Sequence, residues 1–325
     1  MRAIIPVAGF GSRLRPHTYT LPKVLLNVAG KPILGHILDK IIRVGFTEAT
    51  LIVGYLGEQV SEYVRSNYDI TVDIVEQEER KGLAHAIHIA RKTIGDDPIL
   101  IILGDTIFDV DLKPVLAGKH SAIGVKKVED PRRFGIAEIE GDLVTRLVEK
   151  PEHPTSNHAI VGLYWIKRPA KLLESIDHIM RKDMKTKGEF QLTDALEQMR
   201  CSGEKISTFT VDGWYDCGKP ETLLATNRHL LDSAPSEYSR PNVLVIPPVF
   251  ISPTATITDS VIGPYATIAD GVQISDSIVR NSIVAEEAKV LMTLLENSIV
   301  GGNAVVTGSF KRINIGDSSE IDFKS

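Results

Sequence analysis

What this 325-residue chain lacks already closes off several classes of function. It has only two cysteines, Cys201 and Cys217, which give neither a disulfide framework nor zinc-ligand spacing. No apolar run reaches the roughly 18 residues of a membrane span. Met1-Arg2 leads straight into a strand-like segment without a signal-peptide pattern. The expectation is a cytoplasmic protein with no membrane partner. Net charge is −5 and no basic run occurs, which argues against nucleic acid. The nine histidines show no metal pattern; His85 and His88 share a helix face, but no third ligand is evident. What the chain does have is 43% hydrophobic content, enough for the cores of about two domains.

Up to residue 166 strand-like and helix-like segments alternate. Strand candidates are 3–7, 49–53, 71–75, 99–103 and 121–128. Between them Ile33, Leu34, Ile37, Leu38, Ile41 and Ile42 recur at helical spacing, as do Leu83, Ala86, Ile87, Ala90 and Ile94. This alternation predicts an α/β, Rossmann-like, mostly parallel sheet with helices on both faces and ligands at the carboxyl ends of the strands. Residues 135–149 read as a hairpin turning at Glu140-Gly141-Asp142, and 233–242, rich in Pro and Ser, as a linker. The expected domains are 1–235 and 243–325.

From Val249 the texture changes. Asp259-Ser260-Val261-Ile262, Asp276-Ser277-Ile278-Val279, Asn281-Ser282-Ile283-Val284 and Asn297-Ser298-Ile299-Val300 are variants of one tetrapeptide. Ile251, Ile257, Ile262, Ile268 and Ile274 fall five or six residues apart. Three hexapeptides make one coil of a parallel β-helix. A short left-handed β-helix of three to four coils is expected here, with a role in allostery or in assembly as a homo-oligomer.

The segment richest in chemistry is Ile4-Ile5-Pro6-Val7-Ala8-Gly9-Phe10-Gly11-Ser12-Arg13-Leu14, followed by Pro22-Lys23. An apolar run ends in a small-residue loop with two cations close behind it. Glycine has no Cβ to hold a ligand off, so backbone N–H groups there can converge on phosphate oxygens. Arg13 and Lys23 add full charge. Leu14 stands where a Rossmann fingerprint needs its third glycine, and no Gly-Lys-Ser/Thr of a P-loop occurs. The plainer alternative is a tight strand-to-loop turn.

Gly9-x-Gly11-Ser12-Arg13-Leu14 with Leu21-Pro22-Lys23, then Gly30-Lys31-Pro32-Ile33-Leu34, resembles the signature of the sugar-1-phosphate nucleotidylyltransferases. These NDP-sugar pyrophosphorylases include glucose-1-phosphate thymidylyl- and uridylyltransferases. Ala8 stands where many members have a glycine. The resemblance implies a phosphate cradle of Ala8, Gly9, Gly11 and Ser12, with Arg13 on the leaving pyrophosphate and Lys23 on the α-phosphate. It implies Asp105 and Asp216 as holders of Mg²⁺, which needs only one or two protein carboxylates. The segment Gln77 to Ala86 resembles the base-reading loop, with Gln77 and Gly82 facing a pyrimidine; Arg80 stands where proline is often found. Gly135, Glu149, Tyr164 and Glu189 would hold the sugar and Lys150 its phosphate, while Gln191 replaces an acid found in some thymidylyltransferases.

The implied reaction joins a nucleoside triphosphate, dTTP before UTP, to a sugar 1-phosphate, with glucose 1-phosphate first. Two other readings remain: acyl transfer by the β-helix, and a regulatory or scaffolding relative without catalysis. The first generally needs a histidine base, and none follows His229. The second typically loses one of Arg13, Lys23, Asp105 or Asp216, and all four are present.

Overall fold

The structure, a computed structural model, describes residues 1–233 and 240–308. It forms two compact units, Met1–Thr226 and Asn227–Ser325. Most of the expected linker, residues 234–239, lies outside the described residues. The division between units falls inside the helix Pro220–Asp232.

In chain order the first unit contains β1 (Arg2–Pro6), β2 (Asn27–Val28), β3 (Lys31–Pro32), α1 (Ile33–Arg43), β4 (Glu48–Val53), α2 (Gly57–Asn67), β5 (Thr71–Glu76) and α3 (Leu83–Ile89). Then come β6 (Ile99–Ile102), β7 (Thr106–Asp109), α4 (Leu112–Ala117), β8 (Ser121–Lys127), β9 (Gly135–Glu140), β10 (Leu143–Glu149) and β11 (His158–Ile166). It ends with α5 (Pro169–Arg181), α6 (Leu192–Cys201), β12 (Ile206–Thr210), β13 (Gly213–Asp216) and α7 (Pro220–Asp232). Helix α1 forms where the sequence repeats aliphatics at helical spacing; Ile33, Leu34, Ile37, Leu38 and Ile41 are all buried. It stops at Val44-Gly45, where Gly45 takes a left-handed φ of 97° and its N–H donates to the Ile42 carbonyl.

Nine strands make one sheet in the order β5-β4-β1-β6-β11-β8-β12-β10-β9. From β5 to β6 every pairing is parallel, with α1, α2 and α3 in the connections, which is the Rossmann-like half. Beyond β6 the sheet is mixed, a correction to the mostly parallel expectation: β11 runs antiparallel to β6 and β8, and β9 antiparallel to β10. No helix intervenes between β8, β9, β10 and β11. Strands joined without a crossover helix return antiparallel.

The carboxyl ends of β1 and β6 lie side by side, and the Gly104 N–H donates to the Pro6 carbonyl at 3.2 Å. This sets the loop after β1 beside the Gly104-Asp105 tip. A two-stranded ribbon, β7 against β13, then pairs Asp216 with Thr106.

In the second unit strands of two or three residues pair in parallel into three four-stranded sheets. One of them stacks Val243–Val245, Ser260–Ile262, Ile278–Arg280 and Leu294–Glu296. The five isoleucines of the spacing pattern are all buried. This arrangement of parallel sheets is consistent with a β-helix. The tetrapeptide now has a physical meaning. Asp259, Asp276, Asn281 and Asn297 take left-handed φ values of 43–52°, a region that short polar side chains tolerate. The serines after the first three are buried and stack: Ser260 Oγ accepts from the Ser277 N–H, and Ser277 Oγ from the Thr293 N–H, each at 3.1 Å.

Ser277→Ala would leave that Thr293 donor without its acceptor, at a cost of about 1–3 kcal/mol. The exposed Gln273→Ala should change stability by less than about 0.5 kcal/mol. Equilibrium urea unfolding distinguishes the two, and equal effects would show that the serine ladder is not holding the rungs.

Candidate active site

Two cavities open at the carboxyl edge of the first unit's sheet. The first, about 470 Å³, is lined by the loop after β1 together with Lys23, Gln77, Gly82 and Asp105. Ala8, Gly9, Gly11, Ser12 and Arg13 all reach it, as the sequence pattern suggested. Gly9 meets nothing within 4 Å of where a Cβ would stand, so its bare backbone is open. Gly11 is glycine for a different reason. Its φ is 61°, and a Cβ would stand 2.9 Å from Thr18 Cγ2 and 3.0 Å from Lys23 Cβ. The Thr18 hydroxyl donates to the Gly11 carbonyl at 2.8 Å and pins the loop over the lysine stem.

Gln77 is buried, and its backbone N–H donates to the Val53 carbonyl at 2.8 Å. Its side-chain Nε2 donates to the Gly82 carbonyl at 3.3 Å and lies 3.3 Å from His85 Nδ1. Burial lowers the His85 pKa, which favours the neutral ring able to accept at Nδ1. With both amide N–H groups committed, the carbonyl oxygen Oε1 is left for a ligand. Gly82, at φ 109°, packs against the backbone of Phe190; a Cβ there would come within 2.8 Å of the Phe190 nitrogen.

The second cavity, about 460 Å³, shares Arg13, Leu83, Leu103 and Asp105 with the first. It adds Gly135, Glu149, Lys150 and Tyr164 on one side and Asp216 on the other. Lys150 Nζ lies 3.1 Å from Glu149 Oε1, and Thr193 Oγ1 donates to Glu149 Oε2 at 2.6 Å. Gly135 makes room for that pair, since a Cβ would stand 2.7 Å from Thr193 Oγ1 and 2.9 Å from Glu149 Oε2. Gly135 itself lines this cavity beside them. Tyr164 is buried, and burial with the charge of Glu149 raises its pKa, keeping the phenol neutral.

Glu189 lines the first cavity and is absent from the second cavity's lining, unlike its expected sugar-side placement. Its neighbour Gln191 reaches the second cavity, and Gln191 Nε2 donates to Glu189 Oε2 at 3.1 Å. Residues that no role was read for also line the second cavity, among them Thr193, Trp214, Lys219 and Thr222. The edge-to-face contact of Trp214 with Phe134, 4.9 Å between centroids, had no sequence signal.

Where the cavities meet, Lys23 Nζ and Asp105 Oδ2 are 2.6 Å apart. The ribbon brings Asp216 alongside: the Cys217 N–H donates to the Asp105 carbonyl at 3.0 Å. Arg13 Nη2 and both Asp216 carboxylate oxygens lie within 2.9 Å of the point where a Gly218 Cβ would stand. Burial first, and then the charge of Asp105, raise the Asp216 pKa. Two mutually repelling carboxylates at one spot form a hard-oxygen donor pair, which suits Mg²⁺ completed by phosphate oxygens and water. Among the described residues no group of three or more His, Cys, Asp or Glu is placed to hold a metal. Cys217, next to Asp216, is fully buried and its thiol is pushed up to about 12, which withholds the reactive thiolate.

The raised pKa of Asp216 means that the fold disfavours its ionised form. That penalty is full above the raised pKa and disappears as pH falls below the unfolded value of about 3.9. Asp216→Asn should therefore raise the Tm of the protein at pH 7, with the gain lost in acid. Scanning calorimetry checks the sign, and a lower Tm at pH 7 would mean that the carboxylate is well satisfied in the fold. Gly82→Ala forces a left-handed backbone and a backbone clash, so it should cost on the order of 1–3 kcal/mol. Urea unfolding measures the loss, and an unchanged midpoint would show that the turn relaxes around the new side chain.

Comparison with known proteins bears directly on this arrangement. Residues 2–233 match the nucleotidyl transferase family model. The chain is 32% identical over 361 residues to the glucose-1-phosphate thymidylyltransferase of Streptomyces antibioticus, covering 100% of both chains. It is 32% identical over 232 residues to the UTP–glucose-1-phosphate uridylyltransferase AglF of Haloferax volcanii, covering 68% of this chain and 93% of that one. Among solved structures it is similar to a Bacillus anthracis protein described as a glucose-1-phosphate thymidylyltransferase and crystallised with sucrose. That match has a TM-score of 0.63 and 27% identity, covering 73% of this chain and 98% of the other. With the family match spanning the whole sheet and both cavities, the chain belongs to the nucleotidyl transferase family and is a nucleotidyltransferase.

Proposed function

We propose that this enzyme transfers a nucleotidyl group from a pyrimidine nucleoside triphosphate to a sugar 1-phosphate, giving an NDP-sugar and pyrophosphate. The observation that carries the reading is the pair of cavities sharing Arg13 and Asp105. A two-substrate transfer needs two pockets opening on one charged centre. The full-length likeness to a thymidylyltransferase puts dTTP first, and the likeness to a uridylyltransferase puts UTP next; glucose 1-phosphate is the first acceptor to test. The Gln77 carbonyl supports either nucleotide, because uracil and thymine both present an N–H donor at N3.

The acceptor's phosphate oxygen attacks the α-phosphorus in line and pyrophosphate departs. The attacking group is already an anion, so no protein nucleophile is required. The barrier lies in bringing two anions together and in the charge on the leaving group, which positioning and electrostatics supply. The loop of Ala8, Gly9, Gly11 and Ser12 cradles the triphosphate. Lys23 neutralises the α-phosphate, Arg13 the departing pyrophosphate, and Lys150 the acceptor's phosphate. Glu149, held by Thr193, accepts from sugar hydroxyls, with Gly135 and Tyr164 shaping that pocket and Glu189 at its border with the nucleotide side. Asp105 and Asp216 would hold Mg²⁺, which when bound neutralises phosphate charge in the transition state.

We further propose that the second unit is a left-handed β-helix that assembles the chain into a homo-oligomer in the cytoplasm. Among the described residues no helix is long and apolar enough to cross a membrane.

Pyrophosphate release with Mg²⁺, each nucleoside triphosphate and a panel of sugar 1-phosphates tests the reaction. Release should be strong with dTTP or UTP and fall by at least about 100-fold in Lys23→Ala. Release with purine nucleotides alone would overturn the reading of Gln77, and silence from folded protein would favour a non-catalytic relative.

A further inference from the structure

The nucleotide cavity contains one cation to which the proposed reaction gives no task. Arg80 lines the cavity three residues after Gln77 and two before Gly82. Its guanidinium lies over the ring of Phe10, with Cζ 3.0 Å from the centroid. Phe10 is the residue between the two loop glycines and is 54% exposed, and the Tyr55 ring is 6.4 Å away. Gly54, at the end of β4, leaves room for this placement: a Cβ there would stand 3.0 Å from Arg80 Nη2 and 2.9 Å from the Ala8 carbonyl oxygen. Arg80 therefore bridges the base-reading segment and the start of the glycine loop.

Two of its donors, Nε and Nη1, are shielded from solvent and have no hydrogen-bond partner among the described residues. Stacking on an aromatic face is worth about 0.5–2 kcal/mol and satisfies no N–H group. A charged donor kept from both water and an acceptor costs about as much or more. A purely structural arginine would have found a carbonyl or a carboxylate. An arginine held with its donors unspent at the wall of a binding cavity is suited to a ligand that arrives carrying oxygen acceptors.

The position along the cavity says which oxygens. Gln77 and Gly82 mark the base end, and Arg13, Lys23 and Asp105 the phosphate end. Arg80 meets the loop at Phe10, before the chain reaches Ser12 and Arg13. We propose that Arg80 turns from its Phe10 rest to donate to the sugar hydroxyls of the bound nucleotide, making it a specificity-determining residue for the pentose. This rests on the first cavity being the nucleotide site.

The test compares nucleotides that differ by one hydroxyl: UTP against dUTP, and dTTP against its 3′-deoxy analogue. Each is measured as kcat/KM and as a dissociation constant by titration calorimetry, in the wild type, Arg80→Ala and Arg80→Lys. If Arg80 holds a hydroxyl, removing it costs the wild type roughly tenfold for at least one pair and costs Arg80→Ala less than about twofold, because the partner is already gone. Arg80→Lys should recover little, since a single ammonium does not reproduce the fork. KM for the sugar 1-phosphate should stay unchanged. A merely structural arginine would shift every nucleotide alike and leave the ratios intact. Unchanged ratios, or no hydroxyl cost in the wild type, overturn the proposal. Absence of pyrophosphate release overturns the proposed reaction instead, and the dissociation constants then still decide the role of Arg80.

Discussion

The ion pair between Lys23 and Asp105 is the contact on which the rest of the first unit's site depends. The Lys23 side chain is only 9% exposed, and a cation so far from water requires a charged partner close by. Asp105 can be that partner because β1 and β6 are adjacent and parallel, with the Gly104 N–H bound to the Pro6 carbonyl. The lysine stem lies under Gly11, where any Cβ would collide with it. The backbone of Asp105 is tied in turn to Cys217 and so to the ribbon that carries Asp216. Loop, central strand and ribbon thus converge on one charge pair. Displacing any of the three would leave a buried charge without compensation, which is far costlier than losing a surface ion pair.

How much was legible in the sequence follows from how local each determinant is. The glycine loop, helix α1 and the hairpin at Gly141 are set by residues near one another in the chain, and their spacing shows it. The second unit is the extreme case. Each rung repeats the same turn, inward serine and aliphatic strand, so residues 16 or 17 apart report the same geometry again and again. The β7–β13 ribbon is the opposite. It joins segments about a hundred residues apart, so nothing local to either one announces the pairing. The mixed half of the sheet was hidden for a related reason: alternating apolar segments do not reveal their direction, and only the missing crossover helices between β8 and β11 decide it.

The same distinction applies inside the site. Gly135 could be marked as a position needing space, but what fills that space is the Glu149–Thr193 pair, contributed by β10 and α6. Glu189 and Gln191 are two residues apart and reach different cavities, which spacing alone could not assign. Residue types were readable because the chemistry restricts them. Which cavity each serves is a property of the tertiary turn that carries it.

Three cations of the site have a carboxylate nearby in the protein alone: Lys23 with Asp105, Lys150 with Glu149, Arg13 near Asp216. This pairing limits the self-repulsion that three clustered cations would impose on the fold. It also means that a phosphate does not meet these three as free cations. A phosphate reaching Lys23 must compete with Asp105, and one reaching Lys150 must compete with Glu149. Such an exchange frees the carboxylate just as the incoming phosphate needs countercharge, and Asp105 already stands beside the desolvated Asp216. Binding in one cavity changes the electrostatics of the wall it shares with the other. Both cavities are lined by Arg13 and Asp105, so a charge brought into either one acts on the wall of the other.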